Sequence, residues 1–331
     1  MEQSKIKKVG NIASHGLKRI ITDQRLVLLV VIVVLAIVIG SINPRFLTLN
    51  NIIIILQQVS VLGLITLGMA ILMLSGGLDL SVGNIMILSG ITIAVMIDRN
   101  PDNPAIVPIA VGAGLLIGIA AGALNGFIIA KSRCMPLIIS LGMSGVYFGM
   151  ALLISDGRYL SYRRAFEPLR AFRLGGIVPL NTIIFLVMAV IFVLLLMYSK
   201  YGRRIVAIGG NEQNARLSGI NVDKYKIITY AISGLLCAIA SVLLASRLDS
   251  IVAAGGAGME LNALTACIIG GITFDGGRGS IFGAFLGVIF MGIIANGMNV
   301  LGIESSVQVV VSGVIIVAAV IISNANSLRR K

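Results

Sequence analysis

Asp79 stands out first when the chain is searched for residues that could do chemistry. It lies in the stretch LSGGLDLSVGN, residues 74–84, directly after a run of leucines, isoleucines and methionines. A carboxylate at the centre of a bilayer costs on the order of 2.5 to 3.5 kcal/mol on insertion scales, so such residues tend to be functional. The neighbours that could form a turn or a helix cap are Gly76, Gly77, Ser81 and Asn84.

Two roles fit the spacing around Asp79. In the first, the two glycines end one helix, and Asp79, Ser81 and Asn84 cap the next helix as an N-terminal anion and its polar neighbours. In the second, Asp79 contacts a transported solute directly. We favour capping, and the two roles are compatible.

A second stretch shares several of these features. Residues 263–280, ALTACIIGGITFDGGRGS, combine an apolar half-span with the pair Gly270 and Gly271, then Asp275 and further glycines. One broken segment in each half of a chain is typical of transporters built from paired discontinuous helices. The two aspartates stand at different offsets from their glycine pairs, so the sequence indicates a weak internal repeat.

The other polar groups expected within apolar runs are mostly neutral amides. They suit hydroxyl-rich neutral ligands better than ions, because ion-coupled carriers usually place carboxylates, lysines or histidines in mid-span. We expect the carboxylates of Asp79, Glu260 and Asp275 near the ends of spans. Taken singly, each amide is better explained as a hydrogen bond between helices. The amides are Gln57, Gln58, Asn125, Asn262, Asn296, Asn299 and Gln308.

The sequence lacks the residues that several kinds of catalysis require. No GxxxxGK[ST] phosphate loop occurs, so the chain does not bind ATP by that route. The GMSG stretch at 142–145 has the pattern of an intramembrane serine protease, but the only histidine, His15, lies in the amino-terminal tail and gives the serine no base. The three cysteines form no CxxC motif, and we interpret them as structural. We predict no catalytic residue, no metal site and no cofactor bound by this chain.

Membrane spans are the elements that must position these groups. Hydrophobic residues make up 57% of the 331 residues and charged residues only 12%, whereas soluble proteins carry about 25% charged residues. Nine apolar runs are long enough to cross or nearly cross the roughly 30 Å of hydrocarbon. A tenth run, 261–274, is shorter, and we expect it to be broken or partly re-entrant. The nine runs are 26–42, 52–75, 81–97, 105–130, 136–155, 180–199, 227–246, 280–301 and 307–322.

The fold class is therefore all-α, a polytopic helical membrane protein of about ten transmembrane segments with broken helices. With the amino terminus inside, most of the 26 lysines and arginines fall on the cytoplasmic side, as the positive-inside rule requires. The net charge of +13 is thus explained by topology and not by nucleic-acid binding. We expect both termini in the cytoplasm, with an uncleaved tail at 1–25, a transmembrane domain at 26–323 and a second tail at 324–331.

The loop 157–176 strains this topology, because it would lie outside with five arginines. A miscounted span is one explanation. We favour the other, an amphipathic segment whose apolar side chains bury at the membrane interface. Those side chains are Tyr159, Leu160, Tyr162, Phe166, Leu169 and Phe172.

The cytoplasmic loop 199–226 is the longest polar loop on its side. It could hold a short helix from Glu212 to Leu217, with Asn211 as its cap and Gly219 at its end. A helix of this length is not stable alone. Its own spans or a partner must therefore hold it.

Four motifs, in order along the chain, resemble one family. They are SGGLDLSVGN at 75–84, NGFIIAK at 125–131, GRRIVAIGGNEQNARLSGI at 202–220 and ELNALTACIIGGITFDGGRGSIFGAFLG at 260–287. Over residues 26–323 the chain resembles the permease subunit of ribose-, xylose- and galactose-type ABC importers. The resemblance implies a multi-pass protein of a prokaryotic plasma membrane that moves a sugar by alternating access. It also implies a second permease copy or paralogue, ATPase subunits that bind ATP and Mg, and an extracytoplasmic sugar-binding protein as partners.

The same resemblance implies roles for particular residues. The cytoplasmic loop becomes the element that couples to the ATPase, although it departs from the EAA pattern of the wider importer class at Gln213 and Asn214. Asp79 becomes part of a hinge near the translocation pathway. The matching coupling positions are Gly210, Asn211, Glu212, Ala215, Ser218 and Gly219; the pathway and hinge positions are Gly76, Gly77, Asp79, Ser81, Asn84, Asn125, Asn262, Gly270, Gly271 and Asp275.

The arginine-rich loop is where the chain looks least like this family. We expect Arg163, Arg164 and Arg170 to contact acidic residues of the binding protein, because opposite charges across an interface favour encounter.

Two other function classes stay open at this point. An ion-coupled secondary carrier of small polar solutes would also have broken helices, and the poverty of mid-span ionisable residues speaks against it. A membrane anchor or assembly factor would need no coupling loop, an argument that depends on the family resemblance. The solute is open among a pentose, a hexose, a related furanose and a nucleoside, and the permeases of the pore are either identical or related.

Overall fold

The computed structural model describes residues 24–103 and 105–328, which are mostly helical. Before residue 157 it contains five long helices, with the 3₁₀ helix Pro44–Leu47 between the first two. They are α1 (Gln24–Ile42), α2 (Leu49–Leu74), α3 (Val82–Asp98), α4 (Ile106–Ser132) and α5 (Pro136–Ser155).

After α5 the chain forms an arginine-rich loop and then a second set of helices. The loop contains β1 (Leu160–Ser161), α6 (Glu167–Ala171), β2 (Arg173–Leu174) and β3 (Val178–Pro179). The helices are α7 (Leu180–Tyr198), α8 (Lys200–Gly210), α9 (Glu212–Leu217), α10 (Val222–Leu248), α11 (Met259–Ile269), α12 (Ile281–Val300) and α13 (Ser305–Leu328). Between α10 and α11 lie β4 (Ser250–Ile251) and the 3₁₀ helix Ala253–Gly256.

Within the described residues, seven helices are long and apolar enough to cross a membrane: α1, α2, α4, α5, α7, α10 and α12. Three shorter apolar segments accompany them, Val82–Asp98, Ala253–Ile269 and Ser305–Ile321. A polytopic helical membrane protein is therefore confirmed. The broken segment differs from the expected 261–274, because its helix already begins at Met259 and ends at Ile269. The tail 1–25 lies almost wholly outside the described residues, as does the end of the tail 324–331.

The bundle has a buried centre and an apolar outer layer. The most hydrophobic stretches of α2, α10 and α12 are 61%, 61% and 67% buried, whereas that of α5 is 17% buried. Because lipid tails solvate exposed leucine and valine, helix association in a membrane depends on close packing rather than on hydrophobicity. The central helices accordingly carry many small residues.

The contact between α4 and α10 shows this packing most clearly. Glycine occupies every fourth position of α4 at 114, 118, 122 and 126. A Cβ atom added to Gly122 would lie 2.2 Å from the carbonyl oxygen of Tyr230 on α10. Only glycine permits this approach of two backbones.

Buried amides tie the helices together at other levels. Asn51 on α2 and Asn296 on α12 exchange two hydrogen bonds, of 2.8 and 3.0 Å, and both residues are buried. Gln308 donates to Asn299 at 2.9 Å, which connects α13 to α12. For these amides the interpretation as hydrogen bonds between helices is confirmed.

The arginine-rich loop packs against the protein itself. β1 pairs antiparallel with β4, and the hydroxyl of Tyr162 donates to Gly90 O at 3.1 Å. Leu160, Tyr162 and Phe166 are buried in the main core. The expectation that these three side chains bury at a lipid interface is therefore wrong: Leu160 pairs with β4, the Tyr162 amide donates to Asp249 O at 3.1 Å, and the Phe166 ring packs against the Tyr162 ring.

Candidate translocation and coupling site

α2 ends in a left-handed turn at the two glycines that break it. Gly76 has φ +75°, and its amide donates to Met73 O at 3.0 Å. The amide of Gly77 donates to Leu72 O at 2.8 Å. This is the Schellman motif, in which a glycine in the left-handed region satisfies the last carbonyl groups of a helix. The prediction that these glycines end the helix is confirmed.

Asp79 lies between α2 and α3 and is completely buried. Its Oδ1 accepts hydrogen bonds from Ser81 N at 2.8 Å and from Ser81 Oγ at 2.5 Å. Its Oδ2 accepts a hydrogen bond of 3.2 Å from Asn125 Nδ2 on α4. Asn125 Oδ1 lies 2.8 Å from the hydroxyl of Tyr147 on α5. We call Asp79, Ser81, Asn125 and Tyr147 the aspartate network; it joins the break to α4 and α5.

This geometry favours a role for Asp79 at the start of α3, since its carboxylate accepts from the amide of the N-cap residue Ser81 and its complete burial keeps a solute away in this conformation. The expectation that Ser81 and Asn84 also cap α3 is wrong. The Ser81 side chain makes no capping bond, because its hydroxyl donates to Asp79. Asn84 instead donates to Ser144 O and Ser144 Oγ, at 3.1 and 2.8 Å, and thereby connects α3 to α5.

The second break repeats the turn of the first. After α11 ends, Gly271 has φ +87° and its amide donates to Ile268 O at 2.9 Å. The amide of Ile272 donates to Cys267 O at 3.0 Å, which completes another Schellman motif with Gly270 at the C-cap. The internal repeat therefore extends to the way in which both helices end.

The repeat does not extend to the aspartates. Asp79 is completely buried, whereas Asp275 is exposed in the turn that leads to α12. Asn262, on the first turns of α11, is partly exposed. Of the polar pathway residues predicted from sequence, the structure thus brings Asp79, Ser81 and Asn125 together and leaves Asp275 apart from them.

The two breaks meet at a contact made of backbone alone. Gly277 N donates to Leu74 O at 3.0 Å, which links the second break to the end of α2. A Cβ atom on Gly276 would lie 2.9 Å from Gly76 Cα. A Cβ atom on Gly209, near the end of α8, would lie 2.1 Å from Leu74 O. We call Gly76, Gly209, Gly276 and Gly277 the glycine junction.

The helix predicted in the loop 199–226 is present as α9, with the predicted bounds Glu212–Leu217. Asn211 Oδ1 accepts a hydrogen bond of 2.8 Å from Asn214 N, and Gly219 has φ +78° after the helix end. Ala215 is buried with Ile208 of α8 and Val222 of α10. The capping and terminating residues are confirmed, and the protein itself provides part of the support that so short a helix needs.

Ion pairs fasten α9 to α10. Glu212 Oε1 accepts from Arg216 Nη2 at 3.0 Å, and Glu212 Oε2 accepts from Lys226 Nζ at 2.6 Å. Burial alone would raise the pKa of Glu212, but the hydrogen bonds from Lys226 and Arg216 outweigh it and hold that pKa below its usual value. Glu212 and Ala215 therefore position the helix.

A different set of residues forms the outer surface of the coupling loop. Gly210, Ser218 and Gly219 are exposed. Leu217 is 80% exposed at the end of an otherwise polar helix. Leu217 is the exposed large apolar side chain of α9, and no sequence pattern singled it out.

The three arginines proposed to contact a binding protein differ in their surroundings. Arg163 forms an ion pair of 2.9 Å with Asp98, at the end of α3. The backbone amide of Arg164 donates to Asp249 Oδ1 at 2.9 Å, and the residue is exposed. Arg170 is exposed on α6. Arg163 is therefore partly engaged within the chain, while Arg164 and Arg170 have exposed side chains.

Glu260 lies in the first turn of α11, near a helix end as predicted, and its level in the bundle follows from the packing of α11 on α12. A Cβ atom on Gly287 of α12 would lie 2.0 Å from Ala266 O, so these two residues stand at one level of the bundle. Glu260 precedes Ala266 by about 9 Å of helix, and Gly287 follows the start of α12 by about 9 Å. Glu260 thus lies about 18 Å along the roughly 30 Å of α12. By this register, the start of α11 stands about midway along α12.

Comparison with known proteins gives one consistent set of relatives. The family described as "Branched-chain amino acid transport system / permease component" matches residues 51–320. The ribose import permease protein of Escherichia coli strain K12 is 35% identical over 301 residues, 89% of this chain and 92% of that protein. The D-allose transport system permease protein of the same strain is 37% identical over 292 residues, 88% of each chain. The L-arabinose transport system permease protein of Escherichia coli strain K12 is 38% identical over 296 residues, 89% of this chain and 88% of that protein. No solved structure gives a significant match.

Proposed function

This chain belongs to the permease-component family of transport systems, and we propose that it is the transmembrane permease of an ABC importer that moves a monosaccharide into the cell. The observation that carries the proposal is the identity of 35%, 37% and 38% to ribose, allose and arabinose permeases over about nine tenths of the chain. The family match, 51–320, includes both helix breaks and the coupling loop. This chain is a multi-pass membrane protein and the transport subunit of its complex.

ATP is hydrolysed by separate ATPase subunits, and this chain binds neither ATP nor Mg. α9 docks on those subunits. Its exposed Leu217 supports this role, while Glu212, Arg216 and Lys226 keep the helix in position. Movement of α9 reaches the helix breaks through α8, whose end lies in the glycine junction.

Ten crossings place both termini in the cytoplasm of a prokaryotic cell. The seven long apolar helices and three shorter apolar segments support this number. The transmembrane domain is 26–323 between tails at 1–25 and 324–331. The arginine-rich loop then faces outward, where Arg164 and Arg170 are free to contact acidic groups of a sugar-binding protein.

The pathway forms where this chain meets a second permease, either an identical copy or a paralogue. Gly76, Gly77, Gly270 and Gly271 allow the breaks to change shape as it opens and closes. The aspartate network keeps the first break attached to α4 and α5 during that change. Membrane lipid covers the apolar outer helices.

The first experiment is a pull-down from detergent-solubilised membranes through a tag on the carboxyl terminus. Leu217→Ala is compared with Tyr159→Ala, because the two side chains are 80% and 79% exposed but lie in the coupling loop and the arginine-rich loop. We expect an ATPase subunit to co-purify with the wild type and with Tyr159→Ala, and to be lost with Leu217→Ala.

The purified complex is then placed in liposomes with the binding protein and tested with labelled D-ribose, D-allose and L-arabinose. Uptake that requires ATP and does not depend on an ion gradient supports the proposal. A wild-type chain that purifies without an ATPase, and takes up solute only under an ion gradient, would instead make it an ion-coupled secondary carrier.

A further inference from the structure

The connection between α10 and α11 is not α-helical, because it contains β4, the 3₁₀ helix Ala253–Gly256 and a turn at 257–258. It runs antiparallel to α3: a Cβ atom on Gly90 would lie 2.5 Å from Ile251 Cδ1, and one on Gly83 would lie 2.5 Å from Gly256 O. The segment therefore descends beside α3 through the 3₁₀ helix before α11 begins at Met259. We call residues 253–260 the entry segment.

The entry segment reaches the middle of the bundle. Glu260, at its end, lies about 18 Å along the roughly 30 Å of α12 by the register described above. Gly83, which approaches both Gly256 O and Glu260 Oε2, belongs to the first turn of α3. Two helices, α3 and α11, thus begin side by side at this level.

One face of the entry segment is not covered by the rest of the chain. Ala254, Gly255 and Ala257 are exposed, and Glu260 is partly exposed. Irregular backbone at membrane depth does not face lipid, because hydrocarbon offers no hydrogen bonds to free peptide groups. Such backbone occurs where it is buried by protein or lines a water-filled cavity. The exposed face must therefore meet one of these two.

The carboxylate of Glu260 decides between them. Its Oε1 accepts a hydrogen bond of 3.2 Å from Gly258 N, and among the described residues it forms no ion pair. Ionisable residues inside membranes face a water-filled cavity or a charged partner. A dry contact between two copies would bring two such carboxylates into an apolar interface, which is unfavourable.

We infer that the entry segment forms part of the wall of the translocation pathway, and that Glu260 binds the hydroxyl groups of an uncharged polyhydroxylated solute there. The second half of this inference depends on the proposed function. A carboxylate accepts hydrogen bonds from neighbouring hydroxyl groups, and these bonds are stronger than bonds between neutral groups. The same charge repels anionic solutes such as sugar phosphates, so the pathway admits uncharged sugars in preference to phosphorylated ones.

The first test measures water at the wall and needs no sugar. In a Cys134→Ser background, Ala257→Cys is compared with Val190→Cys and Val314→Cys, whose valines are 57% and 64% exposed on α7 and α13. The assembled complex is treated with a charged, membrane-impermeant methanethiosulfonate reagent, with and without ATP. We expect Ala257→Cys to react at least tenfold faster than either control in one of the two states.

Failure of Ala257→Cys to react in both states would overturn the assignment of the wall. Disulfide formation between two copies of Ala257→Cys, without reagent labelling, would show that the segment is a sealed interface and would overturn it equally.

The second test measures the role of the carboxylate. Glu260→Gln keeps the shape of the side chain and removes its charge, and Glu304→Gln is the control at an exposed carboxylate. We expect kcat/KM for ATP-driven uptake of whichever of D-ribose, D-allose and L-arabinose the wild type transports to fall about tenfold in Glu260→Gln. Uptake should be unchanged in Glu304→Gln, and both variants should assemble with their ATPase.

Wild-type uptake in Glu260→Gln would refute binding by the carboxylate. A wild type that moves none of the three sugars would refute the proposed monosaccharide function instead, and the labelling result would still decide the location of the wall.

Discussion

Asn125 is the residue of α4 that joins the first helix break to the rest of the aspartate network. It donates to Asp79 Oδ2 and to Ser81 Oγ, and its own carbonyl oxygen faces the hydroxyl of Tyr147. A buried carboxylate that loses a donor keeps the cost of its desolvation without the bond that offset it. The break is thus stabilised by an amide from another helix in addition to its local bonds.

Asn125→Ala should lower the free energy of unfolding by about 2 kcal/mol or more, because it leaves Asp79 short of a donor. Tyr147→Phe should cost about 1 kcal/mol, since it removes one neutral hydroxyl. Thermal unfolding of the purified protein in detergent measures both. Asn262→Ala, at a partly exposed amide, is the control and should leave the melting temperature almost unchanged. Equal melting temperatures for all three variants would contradict this account of the network.

Glu212 makes the position of α9 sensitive to acid. Its pKa is lowered in the folded protein, so its contribution to stability is complete above the ordinary carboxyl pKa of 4.5 and is lost as the pH falls through the lowered value. Hydrogen exchange of residues 212–217, followed from pH 7 to pH 3.5, should show α9 opening more readily at the acid end after correction for intrinsic rates. Glu212→Gln should open readily at both pH values, and a wild-type loop that is equally protected throughout this range would refute the role of the ion pairs.

At the scale of elements, the glycine junction connects the coupling loop to both helix breaks without any side chain. Its contacts are between backbone atoms of α2, α8 and the turn after α11. Backbones packed this closely have little freedom to slide, so a displacement of one is passed to the others. The glycine junction is therefore suited to transmitting a movement of one helix to its neighbours over a short distance.

Two adjacent glycines of α8 allow a matched test of this junction. Gly209→Ala places a methyl group 2.1 Å from Leu74 O, whereas nothing lies within 4 Å of a Cβ atom on Gly210. We expect Gly209→Ala to destabilise the protein by about 1 to 3 kcal/mol through overpacking. It should also reduce ATP-driven uptake more than ATP hydrolysis. Gly210→Ala should leave the melting temperature unchanged or raise it slightly, and equal melting temperatures of the two variants would refute the junction.

Local signals in the sequence predicted some elements well. Asn211, Gly219 and the glycine pairs at 76–77 and 270–271 determine helix ends through bonds to residues close in sequence, and the structure has those ends. The level of Glu260 in the bundle could not be predicted, because hydropathy treats 261–274 as one run and carries no information on depth, which depends on contact with α12. The arginine-rich loop was misjudged for a similar reason, since its strand partner, β4, lies about 90 residues further along the chain.

At the scale of the whole molecule, the apolar outer helices and the centre rich in small residues have different functions. The periphery presents valine, leucine and isoleucine to lipid, and it accounts for the high hydrophobic content from which the membrane class was predicted. The centre holds the breaks, the aspartate network and the glycine contacts, where packing leaves little tolerance for larger residues. Composition therefore predicts where the protein resides, while its working parts depend on long-range contacts.

The amide pair of Asn51 and Asn296 bears on how the protein is made. The two residues are 245 positions apart, and synthesis proceeds from the amino terminus. Asn51 therefore enters the bilayer before its partner on α12 exists, with only the local bond to Phe46 O to satisfy its amide. In a nascent chain that ends before α12, the side-chain oxygen of Asn51 therefore lacks the donor that Asn296 provides.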